Sequence, residues 1–390
     1  MAEKKVPAAY PFIDVFIDTS RLTPVASRAP GVIAIVGSTG GHGTAPVNEP
    51  QVVDTPAGAA ELFAKDSNAT VRSNPLYESL RLALLQEPRP SKIYGVKLAD
   101  GDFDAGLAAL EAADDVTFVS LANVTDLTNL NKLKTHAENM SLAGQKRIAV
   151  MMVDPAIAKS PTYANTVHTG LTGTPNLESS VSRVLMVAAR GAKDGAGTPP
   201  DTASAAMAAV AGHAPSTSIV LKRIRGITIP VADQYSPSEI KALSEFGIVP
   251  IIQPALVVGG GFSFAEGRLF TTDANLLFVD IVRTLDDIDF RLKAGLIGSV
   301  GDARITKAGL ISLKTRVDGI MGPLKRATTI DDYTIDIPVL DVLSIPESNW
   351  TAAERELVAT ARANRTVVLF VSVTYGPAVH RLHVTLQPKF

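Results

Sequence analysis

The chain has 390 residues, and of these 46% are hydrophobic and 19% charged, which excludes a disordered chain and provides for packed cores in two or three domains. A net charge of −2 gives no basic surplus of the kind that marks a nucleic-acid binder, so no direct nucleic-acid partner is expected. Cysteine is absent, which removes disulfides, a thiolate nucleophile and Cys-ligated metal. The first residues hold no apolar stretch, and the longest one, 248–258, is interrupted by Pro250, Gln253 and Pro254. The expectation is a protein made in the cytoplasm, without a signal peptide or membrane insertion.

The first element is a strand over 10–18, YPFIDVFID, where Ile13, Val15 and Ile17 alternate with Phe12, Asp14, Phe16 and Asp18. A lone strand cannot satisfy its own backbone groups, so it joins a sheet edge, of its own subunit or of a neighbour. GVIAIVG over 31–37 reads as a buried strand closed by a turn-rich stretch. A strand at 51–54, helices at 57–64 and 75–85 and a strand at 92–98 follow. The alternation continues with strands at 117–121 and 147–153 around a helix at 127–140, which is the pattern of an α/β layer. A loop at 191–201 leads into an Ala-rich helix over 202–212.

Ser236, Pro237 and Glu239 form a capping-box signature, with Gly247 as the stop. A longer helix over 274–296 has Phe278, Ile281, Val282, Leu285, Ile288, Leu292 and Leu296 as its apolar stripe. Then come a helix at 307–321, a strand at 333–343, a helix from Thr351 with Glu354 as capping partner, a strand at 366–374 and a terminal strand over 378–387. In that last strand Leu382, Val384 and Leu386 share one face. The fold class is therefore α/β plus α+β, with extended strands at both ends.

Signals for chemistry are few. The loop from Gly37 to Gly43 lacks the Gly-Lys-Ser/Thr of a phosphate loop and the G-x-G-x-x-G spacing, and Pro46 and Pro50 break any helix opening after it. His380 and His383 point to opposite faces of a strand, and His42, His136, His168 and His213 are isolated. Asp286, Asp287 and Asp289 lie opposite the apolar stripe and read as a solvated or subunit-facing surface. No nucleophile elbow is present. The expectation is no catalytic, cofactor or metal site. Between Asp302 and Arg326 basic residues dominate, directly after an acid-rich helix; the two helices either pair between copies or face solvent.

The order of features resembles the contractile tail sheath proteins of bacteriophages, R-type pyocins and contractile injection systems. The residues that carry this are GVIAIVG at 31–37 with Pro46 and Val47; Ile224 to Gly226 through Ser236–Glu239 to the run 246–252; the glycine-rich stretch ending at Glu266, Gly267 and Arg268; Val282 to Leu285; and the closing strand, turn and strand. The family's Gly-x-Arg-Thr signature stands here as Gly267, Arg268, Leu269 and Phe270. The resemblance implies a non-enzymatic, mechanical protein. It would polymerise as stacked six-fold rings around an inner tail tube protein, meet baseplate and terminator proteins, and contract to drive the tube through a target envelope. It implies an N-terminal arm at 1–25, an outer α/β domain at 26–230, an inner α+β core domain at 231–377 and a C-terminal arm at 378–390. The arms, through Phe12, Ile13, Val15, Phe16, Ile17, Leu382, Val384 and Leu386, would pair with neighbouring subunits. Arg355, Arg362 and Arg365 of the last helix would face the tube, with Leu357, Val358 and Ala361 turned to the core. The location implied is a virion tail or injection-system particle assembled in a host cytoplasm. A soluble α/β ligand-binding domain or enzyme is the alternative reading.

Overall fold

A computed structural model describes residues 31–99, 101–257 and 260–380. The first part comprises β1 (Val32–Gly37), β2 (Pro50–Val52), α1 (Pro56–Phe63), α2 (Pro75–Leu84), β3 (Lys92–Lys97), α3 (Phe103–Ala108), β4 (Phe118–Leu121), α4 (Leu127–Leu142), β5 (Ile148–Met152), α5 (Tyr163–Leu171), β6 (Val184–Ala188) and α6 (Thr202–Ala211). β7 (Arg223–Ile224), α7 (Pro237–Glu245), β8 (Ile248–Ile252) and β9 (Phe262–Phe264) complete it. The remainder is α8 (Val279–Leu296), α9 (Lys307–Arg326), β10 (Asp332–Asp336), α10 (Pro338–Ser344), α11 (Ala352–Asn364) and β11 (Phe370–Thr374).

Among the described residues the first part forms a nine-stranded sheet in the order β2-β3-β1-β4-β5-β6-β8-β9-β7. β3, β1, β4, β5, β6 and β8 run parallel, and β2, β9 and β7 pair antiparallel at the two ends. The parallel strands are short apolar runs because both faces are covered. Ile33 and Ile35 pack with α1, α2, α6 and the start of α8; Val32, Ala34 and Val36 pack with α3, α4, α5 and α7. α6 is buried on every side, as its Ala-rich sequence requires, and Asp201 caps it by accepting from the Ser204 amide at 2.9 Å.

The expected boundary at 230 falls inside this sheet, because β8 pairs with β6 and β9 with β8. Pro250 disguises β8 in the sequence, since proline is rare in an inner strand; here its carbonyl still accepts from Ala265. The change of core comes later, within α8. Val279 and Val282 belong to the sheet's core, whereas Ile288 joins Val317, Met321 and Leu324 of α9. The helix begins at Val279 rather than 274, because Phe278 is still extended and bridges to Arg268. Its buried face is Val279, Asp280, Val282, Arg283, Thr284 and Ile288, so the apolar stripe is corrected: Leu285 is 41% exposed. The strand expected over 333–343 ends at Asp336, and Pro338 instead opens α10, where a fixed φ suits a first helical position.

Polar ties fix α8 to the sheet domain. Arg283 is buried and donates to the carbonyls of Val210 and His213 at 3.2 and 2.7 Å, placing a cation at the C-terminal end of α6. Burial lowers its pKa to about 10. Arg183 grips Asp286 with two contacts of 2.6 and 3.0 Å. Asp286, expected on a solvated or subunit-facing surface, is instead half of a nearly buried ion pair within the chain. Asp287 and Asp289 meet Arg291 and Lys293 on their own helix.

A second buried cation sets an acid limit. Arg147 donates to His136 Nε2 at 2.9 Å and to the carbonyls of Leu110 and Ala113 at 2.7 and 2.9 Å. Burial, then the Arg147 charge, pushes the His136 pKa down to about 4. The neutral ring thus stabilises the fold in full above the unfolded-chain value near 6.5, and that contribution, about 3 kcal/mol, is lost as pH falls toward 4. Urea unfolding of the parent and of His136→Gln across this range measures it. The parent is expected to lose more stability than the variant, and parallel losses would remove His136 as the cause.

Candidate intersubunit and tube-facing surfaces

The second part of the chain is built around a small sheet. β10 and β11 pair antiparallel, with Tyr333 opposite Val373 and Ile335 opposite Val371. Tyr333, Ile335, Val371 and Val373 lean on Val317, Met321 and Leu324 of α9 and on Ile288 of α8. Asp332, Thr334, Asp336, Phe370, Ser372 and Thr374 are exposed on the other face. Tyr333 donates to Asp318 at 2.6 Å, and Lys325 pairs with Asp332 at 2.6 Å. The Asp318 bond raises the Tyr333 pKa, and the Lys325 bond lowers that of Asp332. Two strands are marginal alone, and among the described residues neither outer edge of this sheet meets a third strand. Among the described residues these edges, like those of β2 and β7 in the large sheet, are unpaired.

α11 borders the same unit. Thr351 and Glu354 form the expected capping box, which lowers the Glu354 pKa. Val358 and Ala361 are buried against α10, but Leu357 is 40% exposed, which corrects its expected core position. Arg355, Glu356, Arg362 and Arg365 are all exposed. Arg355 and Arg362, two helical turns apart, share a face. Arg365 is the left-handed C-cap. The helix thus carries a basic outward surface within one short unit.

Phe12, Ile13, Val15, Phe16, Ile17, His383, Leu382, Val384 and Leu386 lie outside the described residues. Asp286, Asp287 and Asp289 of α8, expected either to pair with basic α9 between copies or to face solvent, have partners within their own chain. On α9, Lys307, Lys314 and Arg326 remain exposed. Among the described residues no three His, Asp or Glu side chains converge as a metal site, and no helix is long and apolar enough to cross a membrane. Periodicity gave no sign of the ties through Arg283 and Arg183, because their partners are distant in sequence.

No family model matches the sequence, and no curated protein matches it. Solved structures do. The chain is similar to the sheath complex of the extracellular contractile injection system PVC in its contracted state, at 11% identity and a TM-score of 0.67, over 98% of both chains. It is similar to a chain of the anti-feeding prophage baseplate at 12% identity and a TM-score of 0.66, over 98% of this chain and 100% of that one. A sheath tail protein from Desulfitobacterium hafniense matches at 13% identity and a TM-score of 0.56, over 83% of this chain and 93% of that one. The chain has the fold of contractile-sheath proteins.

Proposed function

We propose that the chain is the structural subunit of a contractile tail sheath. It polymerises as stacked six-fold rings around an inner tube and contracts to drive that tube through a target envelope. The observation that carries this is likeness in fold along 98% of the chain to a sheath in its contracted state. The small sheet, whose two edges meet no third strand among the described residues, supports it, because a polymer held by exchanged strands needs such edges. In this reading the unit from α8 to β11 is the inner part, the nine-stranded sheet domain lies outside, and residues 1–25 and 378–390 are the linking arms. Contraction proceeds without a cofactor or nucleotide, since bistable interfaces store the free energy. Baseplate and terminator proteins bind the ends of the polymer. The particle is a virion tail or an injection system, assembled in a host cytoplasm.

The sheath reading expects the purified protein to sediment as high-mass polymer, whereas a ligand-binding domain or enzyme stays a discrete particle. On the inner face, Arg355, Arg362 and Arg365 meet the tube through charge contacts that release on contraction. Reversal of both Arg355→Glu and Arg362→Glu is expected to leave empty contracted cylinders intact while abolishing extended sheath on tube, counted in electron micrographs of co-expressed protein. Normal extended particles would move the tube contact away from α11.

A further inference from the structure

The two ends of the nine-stranded sheet carry opposite charge. At one end β2 pairs only with β3, and at the other β7 pairs only with β9, so among the described residues each leaves one edge without a strand partner. Glu49 and Asp54 flank β2 and are exposed, as are Val47 and Val52. At β7 stand Lys222, Arg223 and Arg225, with Leu85 and Leu221 exposed beside them. Arg225 is paired with Glu87, whereas among the described residues Glu49, Asp54 and Arg223 enter no ion pair. A groove of about 620 Å³ lies at β7, and Leu85, Arg223, Arg225, Gly226, Gln253 and Phe262 help to line it. Gly261, at φ +103°, leaves the Arg223 guanidinium its place there, since a Cβ on that residue would stand 2.6 Å from Nε.

We propose that the groove at β7 of one copy receives the β2 edge of the next. Charge selects this occupant. β2 against β2 would set carboxylate on carboxylate, and β7 against β7 would set cation on cation; β2 against β7 brings Glu49 and Asp54 to Lys222 and Arg223. Val47 and Val52 then cover Leu85 and Leu221, so aliphatic surface leaves water on both sides of the contact. Pro50 has no amide hydrogen and suits a sheet edge, so β2 offers fewer main-chain bonds than a full strand and the side chains carry the fit. Because the two edges lie at opposite ends of one sheet, the contact is head-to-tail: every copy offers one of each, and the arrangement repeats until it closes as a ring or continues as a helix. It rests on the sheath reading for the polymer in which it repeats, while the pairwise contact stands on the two edges alone. It joins the large sheet domains and is separate from strand addition at β10 and β11.

Because the chain has no cysteine, single introduced thiols report this pairing. Full chains carrying Val52→Cys and Leu221→Cys are mixed and treated with a flexible bismaleimide, and denaturing gels count the covalent dimers. The mixture is expected to give dimer well above either chain alone. It should also exceed Val52→Cys mixed with Leu142→Cys, an exposed position on α4, which covers β4 and β5 in the middle of the sheet. The dimer is expected to be lost when the Leu221→Cys chain also carries Lys222→Glu and Arg223→Glu, and to return when the Val52→Cys chain then carries Glu49→Lys and Asp54→Lys. No excess in the first mixture, a dimer indifferent to the reversals, or a loss that the exchanged charges do not repair would each overturn the contact. Sedimentation of the parent is scored separately: single-chain particles overturn the sheath reading, whereas a polymer whose mixed thiols do not join overturns this contact alone.

Discussion

Deletion of residues 1–18 is expected to leave a folded chain that sediments as a monomer and forms no cylinders. Among the described residues the two cores of the sheet domain begin at Val32 and are closed by their own helices. In the proposed reading Ile13, Val15 and Ile17 supply the face that an edge of the β10–β11 sheet turns to α8 and α9, and the alternating polar and aromatic residues face outward. Three aliphatic side chains contribute about 1.5–3 kcal/mol each when buried, so the lower bound is about 4.5 kcal/mol per subunit contact. At about 1.4 kcal/mol per tenfold change, the critical concentration for assembly rises about a thousandfold or more. Sedimentation velocity with a thermal melt makes the measurement. Polymer at the parent's critical concentration would place the link between subunits elsewhere in the chain.

The Asp286→Ala substitution is expected to destabilise the fold by about 3–5 kcal/mol, the cost of leaving one member of a buried ion pair without its counter-charge. Arg183 and Asp286 are 10% and 14% exposed at their side chains, and the two bonds between them tie α8 to the turn that enters β6. Because α8 belongs to both cores, this loss affects the attachment of the small sheet's unit to the large one. The double replacement Arg183→Met with Asp286→Leu removes both charges and is expected to recover much of the loss. Chemical denaturation of the parent and the two variants is the check. A loss below about 1 kcal/mol in Asp286→Ala, the range of exposed pairs, would mean that apolar contacts alone hold α8 in place.

The sequence was most readable where structure is local. The run 31–37 is β1, the Ala-rich stretch is α6, and the capping boxes at Ser236 and Thr351 form as their spacing indicates. It was least readable where the cause lies far along the chain. The buried face of α8 carries Asp280, Arg283 and Thr284, which a search for apolar periodicity assigns to solvent; Arg283 donates to carbonyls some seventy residues earlier. β6 is a short apolar run with little local signal beside the loop that follows it, and Pro250 conceals β8, so the sequence hides the sheet's extent. The pairing of β10 with β11 spans two intervening helices, which no local pattern records. Of the candidate surfaces, Arg355, Arg362 and Arg365 of α11 are named by the resemblance rather than by spacing, and all three are exposed. The open edges of the small sheet emerged only from the fold.

Cryo-electron microscopy of the purified full-length protein tests the central claim most directly. The account predicts hollow cylinders with six subunits per ring, each subunit joined to its neighbours by added strands at the β10–β11 sheet. A field of separate single-chain particles, at concentrations well above those at which the chain is made, would contradict it.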